Sequence, residues 1–138
     1  MNFMPKTQMD IYLVLLKNQN KMDIEKYREF CLSLKEATEG TPFDERTLVF
    51  SIKGKMFSST NIETFELINV KCEPEKVIEL REQFEAVIPG YYMNKKHWNS
   101  IKMDNSISDK QIKEWIVNSY KLVVSKLPKK VQKELGIE

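Results

Sequence analysis

Histidine occurs once in this 138-residue chain, cysteine twice and glycine four times. A single histidine, His97, and no Cys-x-x-Cys or Cys/His cluster leave no zinc-ligand set. Cys31 and Cys72 stand apart in apolar patterns and read as small buried hydrophobes of a reducing cytosol. The glycines form no run at the opening of a helix, so a phosphate-cradling loop is excluded. Long apolar runs are missing too. Ile11–Leu16 is too short to cross a bilayer, and no small-residue cleavage site follows it. Repeats, linkers and low-complexity tracts are lacking. The expectation is a soluble cytoplasmic protein with no membrane partner, no metal and no cofactor.

What is present suits one globular domain. Hydrophobic residues make up 41% and charged residues 30%. A chain of this length buries roughly two-thirds of its unfolded surface. The net charge of +2 hides an asymmetry. Residues 1–90 carry 12 basic and 15 acidic side chains, a net of −3, whereas residues 91–138 carry 10 and 5, a net of +5. A basic third on an acidic body steers an anionic partner, and it is also what a solvated lysine-rich helix looks like.

Periodicity gives the elements. Residues 1–9 read as a loose start, and Asp10 caps a short helix over 10–18. Asp23 caps a second helix whose Ile24, Tyr27, Phe30, Cys31 and Leu34 share a side. Glu39-Gly40-Thr41-Pro42 is turn chemistry. Leu48, Phe50 and Ile52 alternate with polar or smaller residues over a strand at 46–53. Lys53-Gly54-Lys55 turns the chain into a second strand at 56–59. A third strand at 64–72 places Ile68, Val70 and Cys72 on one face, with a bulge expected because Phe65 and Leu67 are out of phase. Pro74 opens a helix carrying Val77, Ile78, Leu80 and Phe84, which ends before Pro89-Gly90. Tyr91 to Met103 reads as one or two strands broken near Asn94-Lys95. The last long helix has the clearest start: Ser108 as N-cap, Gln111 three residues on, and Ile107 and Ile112 as a staple. It ends at Pro128, and 129–136 makes a short final helix. Residues 1–22 are thus an N-terminal extension with a short helix, and residues 23–138 are the domain. Its order, α-βββ-α-ββ-α, specifies a two-layer α+β domain with an antiparallel sheet.

The richest segment is Pro89–Ile101. It holds two tyrosines, the histidine, Trp98 and the Lys95-Lys96 pair, and no carboxylate occurs between Glu85 and Asp104. Lys95, Lys96 and Lys102 suit phosphate contacts. Tyr91, Tyr92, His97 and Trp98 suit stacking on bases. Asn94 or Asn99 suits bidentate pairing with adenine, and Lys53 and Lys55 suit a basic wing tip. The competing reading puts Trp98 and one tyrosine in the core and leaves the lysines to solvate a strand edge. His97 has the pKa range of a general base, but Ser100 and Asp104 do not assemble a triad with it under strand alternation, and no enzyme is expected. Lys126, Lys129, Lys130 and Lys133 complement helix C-termini.

These residues resemble the MmcQ/YjbR-like proteins. The matching pieces are Ala37-Thr38-Glu39-Gly40-Thr41-Pro42-Phe43, Phe50–Phe57, Asn69–Pro74, Pro89–Trp98, Asp104, Ser119-Tyr120 and Lys126-Leu127-Pro128. The resemblance covers about residues 23–128 and leaves the 10–18 helix outside. It implies a fold similar to that of type III secretion chaperones and frataxin. It also implies DNA binding through a double-wing arrangement. On that basis Lys53, Lys55, Asn94, Lys95, Lys96, His97 and Lys102 are the candidate nucleic-acid contacts. The alternative is a chaperone-like protein-interaction module whose sheet keeps an apolar face partly open.

Overall fold

The computed structural model describes residues 21–91 and 93–136. The expected helix at 10–18 lies outside the described residues. The elements are α1 (Ile24–Ser33), β1 (Ala37–Gly40), β2 (Thr47–Ile52), β3 (Lys55–Asn61), β4 (Leu67–Lys71), α2 (Pro74–Gln83), β5 (Val87–Pro89), β6 (Trp98–Lys102), α3 (Asp109–Ser125) and α4 (Lys129–Leu135). The strands form one antiparallel sheet in the order β1-β2-β3-β4-β6-β5. The fold is α+β in two layers.

Local chemistry starts the helices where the sequence places them. The Asp23 carboxylate accepts the Lys26 N–H at 2.8 Å, and the Ser108 hydroxyl accepts the Gln111 N–H at 3.1 Å. Among the described hydrogen bonds Gln111 does not close a capping box, and its side-chain amide donates to Glu114. Asp23→Ala removes this cap. We expect a loss of ~1 kcal/mol in urea unfolding, with an unchanged m-value.

Helices α1, α2 and α3 pack on the same side of the sheet. Tyr27 of α1 meets Phe50 edge-on at 5.3 Å. Arg81 of α2 bonds Asn99 of β6, and Tyr120 of α3 meets Phe57 at 5.3 Å. Leu135 of α4 joins this core. Both cysteines are buried and free.

Three expectations change. A strand, β1, occupies residues read as a turn. It is an edge strand exposed over Thr38–Gly40, so it lacks the apolar alternation that marks a strand in sequence. The bulge falls on β3, not on the third expected strand. Phe50 pairs with Ser58 but Ser51 with Met56, which leaves Phe57 as the extra residue. This puts Phe57 against Tyr120 and Ser58 against Tyr27 on the helix side. Phe65 resolves its phase differently, by a left-handed backbone (φ 46°) ahead of β4. The helix from Pro74 ends ahead of Pro89-Gly90 as expected, at Gln83, and the strand region expected over 91–103 has its break at Asn94-Lys95 but starts elsewhere. Its first part, β5, comes earlier at Val87–Pro89, and a turn joins it to β6.

Candidate functional site

β2, β4 and β5 run toward the same end of the sheet, and β3 and β6 run away from it. The Lys53-Gly54 hairpin and the Gly90–His97 turn therefore project from one end. The hairpin has two left-handed residues, Lys53 (φ 51°) and Gly54 (φ 78°), the geometry that matches strand twist. Lys53 does not extend freely into solvent. Its ammonium bonds Glu36 at 2.9 Å, and this contact raises its pKa. Lys55 is exposed.

The Gly90–His97 turn is braced from several sides. Asn94 accepts the Lys96 N–H on its side-chain oxygen at 2.9 Å, and its carbonyl accepts the N–H groups of His97 and Trp98. Its side chain thus shapes the turn. The Lys95 ammonium donates to the Gly90 carbonyl at 3.1 Å. His97 is half-buried, and its carbonyl accepts the Cys72 N–H at 2.8 Å. Beneath the turn lies Arg81, which the sequence reading did not single out. Its Nε donates to Asn99 Oδ1 at 2.7 Å, and its Nη2 donates to the carbonyls of Lys95 and Trp98. Asn99 is buried and its amide donates to Val77, so it is a brace between sheet and α2 and cannot serve as a base contact. Gly90 lies directly against Trp98. A Cβ there would stand 2.9 Å from the Trp98 Cβ and 3.0 Å from its carbonyl oxygen, so glycine permits this close approach.

Strand alternation separates the remaining candidates. Asn99 and Ile101 point to the helices, so Trp98, Ser100 and Lys102 point the other way. Lys71 pairs with Trp98, Asn69 with Ser100 and Leu67 with Lys102, and all six share this second face. No described helix packs on it. Lys102 is four residues beyond Trp98, the first residue of β6, about 13 Å along the strand. The structure thus gathers Lys55, Lys95, Lys96 and His97 at one end and sets Lys102 apart on the open face. Lys71, also missed in sequence, joins Lys102 there. Its signal was its phase, opposite to Ile68 and Val70. Trp98 is half-buried and belongs to this face, not to the helix-side core.

The open face is not the apolar surface expected for a chaperone-like module. A hydrogen-bonded polar row crosses it. Asn69 donates to Ser59 at 3.1 Å, Ser100 donates to Asn69 at 2.5 Å, and Ser100 accepts the Tyr91 N–H at 3.0 Å. Ser59, Ser100 and Val49 on this face are buried, whereas Asn69, Lys71 and Trp98 are half-buried and Lys102 is exposed, so its accessible part lies around these last four residues. Tyr91 is 58% exposed at the edge of this area. Tyr92 lies outside the described residues.

Cys72 and Asp104 are engaged by their neighbours. Burial pushes the Cys72 thiol up to about 11, with the Glu73 charge adding to the effect. A hydrogen bond from Ser106 holds Asp104 below its ordinary value. Among the described residues no three His, Cys, Asp or Glu side chains are placed to hold a metal, and no helix is long and apolar enough to cross a membrane.

Residues 32–122 match the family model YjbR. The chain belongs to the YjbR family. YjbR relatives include the uncharacterised protein YbdF of Escherichia coli O157:H7, 37% identical over 95 residues, or 68% of this chain and 78% of that one. The uncharacterised protein YjbR of Escherichia coli K12 is 27% identical over 83% of this chain and 98% of its own. The crystal structure of Deinococcus radiodurans protein DR2400 superposes with a TM-score of 0.80 at 32% identity, covering 86% of this chain and 91% of that one. A Pseudomonas syringae protein at 22% identity shares the fold, with a TM-score of 0.62. The YjbR segment contains all six strands and α2, so Arg81, the braced turn and the open face are all parts of it.

Proposed function

We propose that this YjbR-family protein is a non-catalytic, cytoplasmic DNA-binding protein that engages DNA on the open face of its sheet. One observation carries the reading. Among the described strand residues that point to this face, the charged ones are Lys71 and Lys102, and none is acidic. Lys95 and Lys96 are exposed on the turn that leads into β6 at the end of the sheet. Acidic strand residues lie elsewhere: Glu39, in phase with Phe50, bonds Arg28 of α1 at 2.7 Å. A face with one sign of charge attracts a polyanion and releases its counterions. Two buried thiols suit a reducing compartment. No reaction is assigned. Ser100 is engaged by Asn69 and Tyr91, Asp104 by Ser106, and His97 is tied into the turn through its backbone.

Fluorescence anisotropy with labelled DNA strands and duplexes tests this. Micromolar binding at low salt is expected, weakening steeply as salt rises. The triple variant K71E/K96E/K102E should bind at least about tenfold more weakly, because each lost phosphate contact and each added repulsion acts in the same direction. Absence of any anisotropy change at micromolar protein in low salt would end the reading.

A protein partner is the second reading, and a different surface favours it. A broad groove of about 580 Å³ runs along α3, lined by Lys110, Lys113, Glu114, Val117, Asn118 and Lys121. It lies on the helix layer, on the other side of the molecule from the open face.

A further inference from the structure

We infer that the nucleic acid taken by the open face is single-stranded, with Trp98 as the stacking platform and Lys71 and Lys102 as phosphate contacts. This rests on the reading of the open face as a DNA-binding surface and specifies which form of DNA it takes.

The argument starts from width. A duplex is read by an element that fits its major groove, about 12 Å across, which admits a helix or a two-stranded ribbon. The lysines of the open face sit on β4 and β6, the fourth and fifth strands of a six-stranded sheet. Adjacent strands lie about 4.8 Å apart, so the sheet spans about 24 Å and cannot enter that groove with these residues leading. A single strand lies across a flat surface without this restriction. Its bases are unstacked and present a π-face to any accessible aromatic ring.

Aromatic placement follows the same logic. Trp98 and Lys71 are direct cross-strand partners, so a base on the indole brings its phosphate toward the ammonium. The polar row Ser59–Asn69–Ser100 fixes β3, β4 and β6 beneath the strand path. Neither Lys71 nor Lys102 is in an ion pair among the described residues.

The experiment compares labelled dT12 with a 12-base-pair duplex by anisotropy across a salt series. The wild-type protein is expected to bind dT12 at least about tenfold tighter than the duplex. W98L should weaken dT12 binding about tenfold or more with an unchanged salt slope, because stacking releases no counterions. K71Q/K102Q should weaken it and make the slope shallower by about 1.4, that is ~0.7 per phosphate contact on a single strand. Both lysines are on the surface of the sheet, so this variant remains informative if W98L fails to fold, which thermal unfolding reveals. Equal or tighter binding of the duplex overturns the inference and leaves the DNA-binding reading standing. Tight dT12 binding that folded K71Q/K102Q leaves unchanged in both Kd and slope places the site elsewhere and also overturns it. No binding of either probe at low salt removes both readings.

Discussion

Arg81→Met is expected to lower stability by ~2–4 kcal/mol and to loosen the Gly90–His97 turn. The guanidinium satisfies the buried Asn99 Oδ1 and the Lys95 carbonyl, and it adds a second donor to the Trp98 carbonyl, which also accepts the Gly90 N–H. Methionine keeps much of the volume but offers no donor, so the Asn99 oxygen is left buried without a partner. Leaving a buried acceptor unpaired costs far more than the net worth of an ordinary hydrogen bond. Arg81→Lys should recover only part of the loss, because a point-like ammonium cannot reproduce the planar fork that reaches three acceptors. Urea unfolding gives the energy. Faster amide exchange at His97 and Trp98 identifies the turn as the part that loosens. A loss below ~0.5 kcal/mol would show that the brace contributes little.

Ser119→Ala is the second large effect, with a loss of ~2–5 kcal/mol expected from removing one oxygen atom. The Ser119 hydroxyl donates to the Phe57 carbonyl at 2.5 Å and accepts the Lys71 N–H at 2.8 Å. These two backbone groups lie beyond the last paired residues of β3 and β4, where the Phe57 bulge separates the strands. One side chain from α3 thus completes the ladder that the bulge interrupts. Ser119 and Phe57 are fully buried, and no bulk water replaces the lost oxygen. Ser125→Ala is the control. Its hydroxyl donates to the Leu122 carbonyl one turn back on an exposed face, and its removal should change stability by less than ~0.5 kcal/mol. Because Lys71 is anchored through this bond, Ser119→Ala should also reach the open face.

Local chemistry was legible wherever a short stretch of chain decides its own conformation. Asp23 and Ser108 cap the helices expected of them, Gly54 turns the hairpin, Pro74 opens α2, and Ile107 and Ile112 are both buried. Strand β1 escaped because three of its four residues face solvent, so pairing with β2 defines it and side-chain pattern does not. The bulge was misplaced for a related reason. Phe57 shows no irregularity until its partner strand is known, whereas Phe65 looks irregular in sequence but is absorbed by a left-handed residue in a loop.

The candidate site divided along the same line. Its cationic and aromatic composition was plain in Pro89–Ile101, and the turn there does carry Lys95, Lys96 and His97. Which side chains are available was not. Lys53 turned out to be paired with Glu36, Asn94 committed to its own turn, and Asn99 buried against Arg81. These partners come from residues 2 to 18 positions away, and the distant ones are invisible to spacing.

By itself, then, the chain determined its elements, their caps and most of its apolar faces, because those follow from contacts within a few residues. Tertiary structure alone decided that all three packing helices take one side of the sheet and that Lys71, Trp98 and Lys102 share the other. The physical reason is that the face a strand residue occupies depends on which strands pair beside it and in what register, and those partners lie tens of residues away.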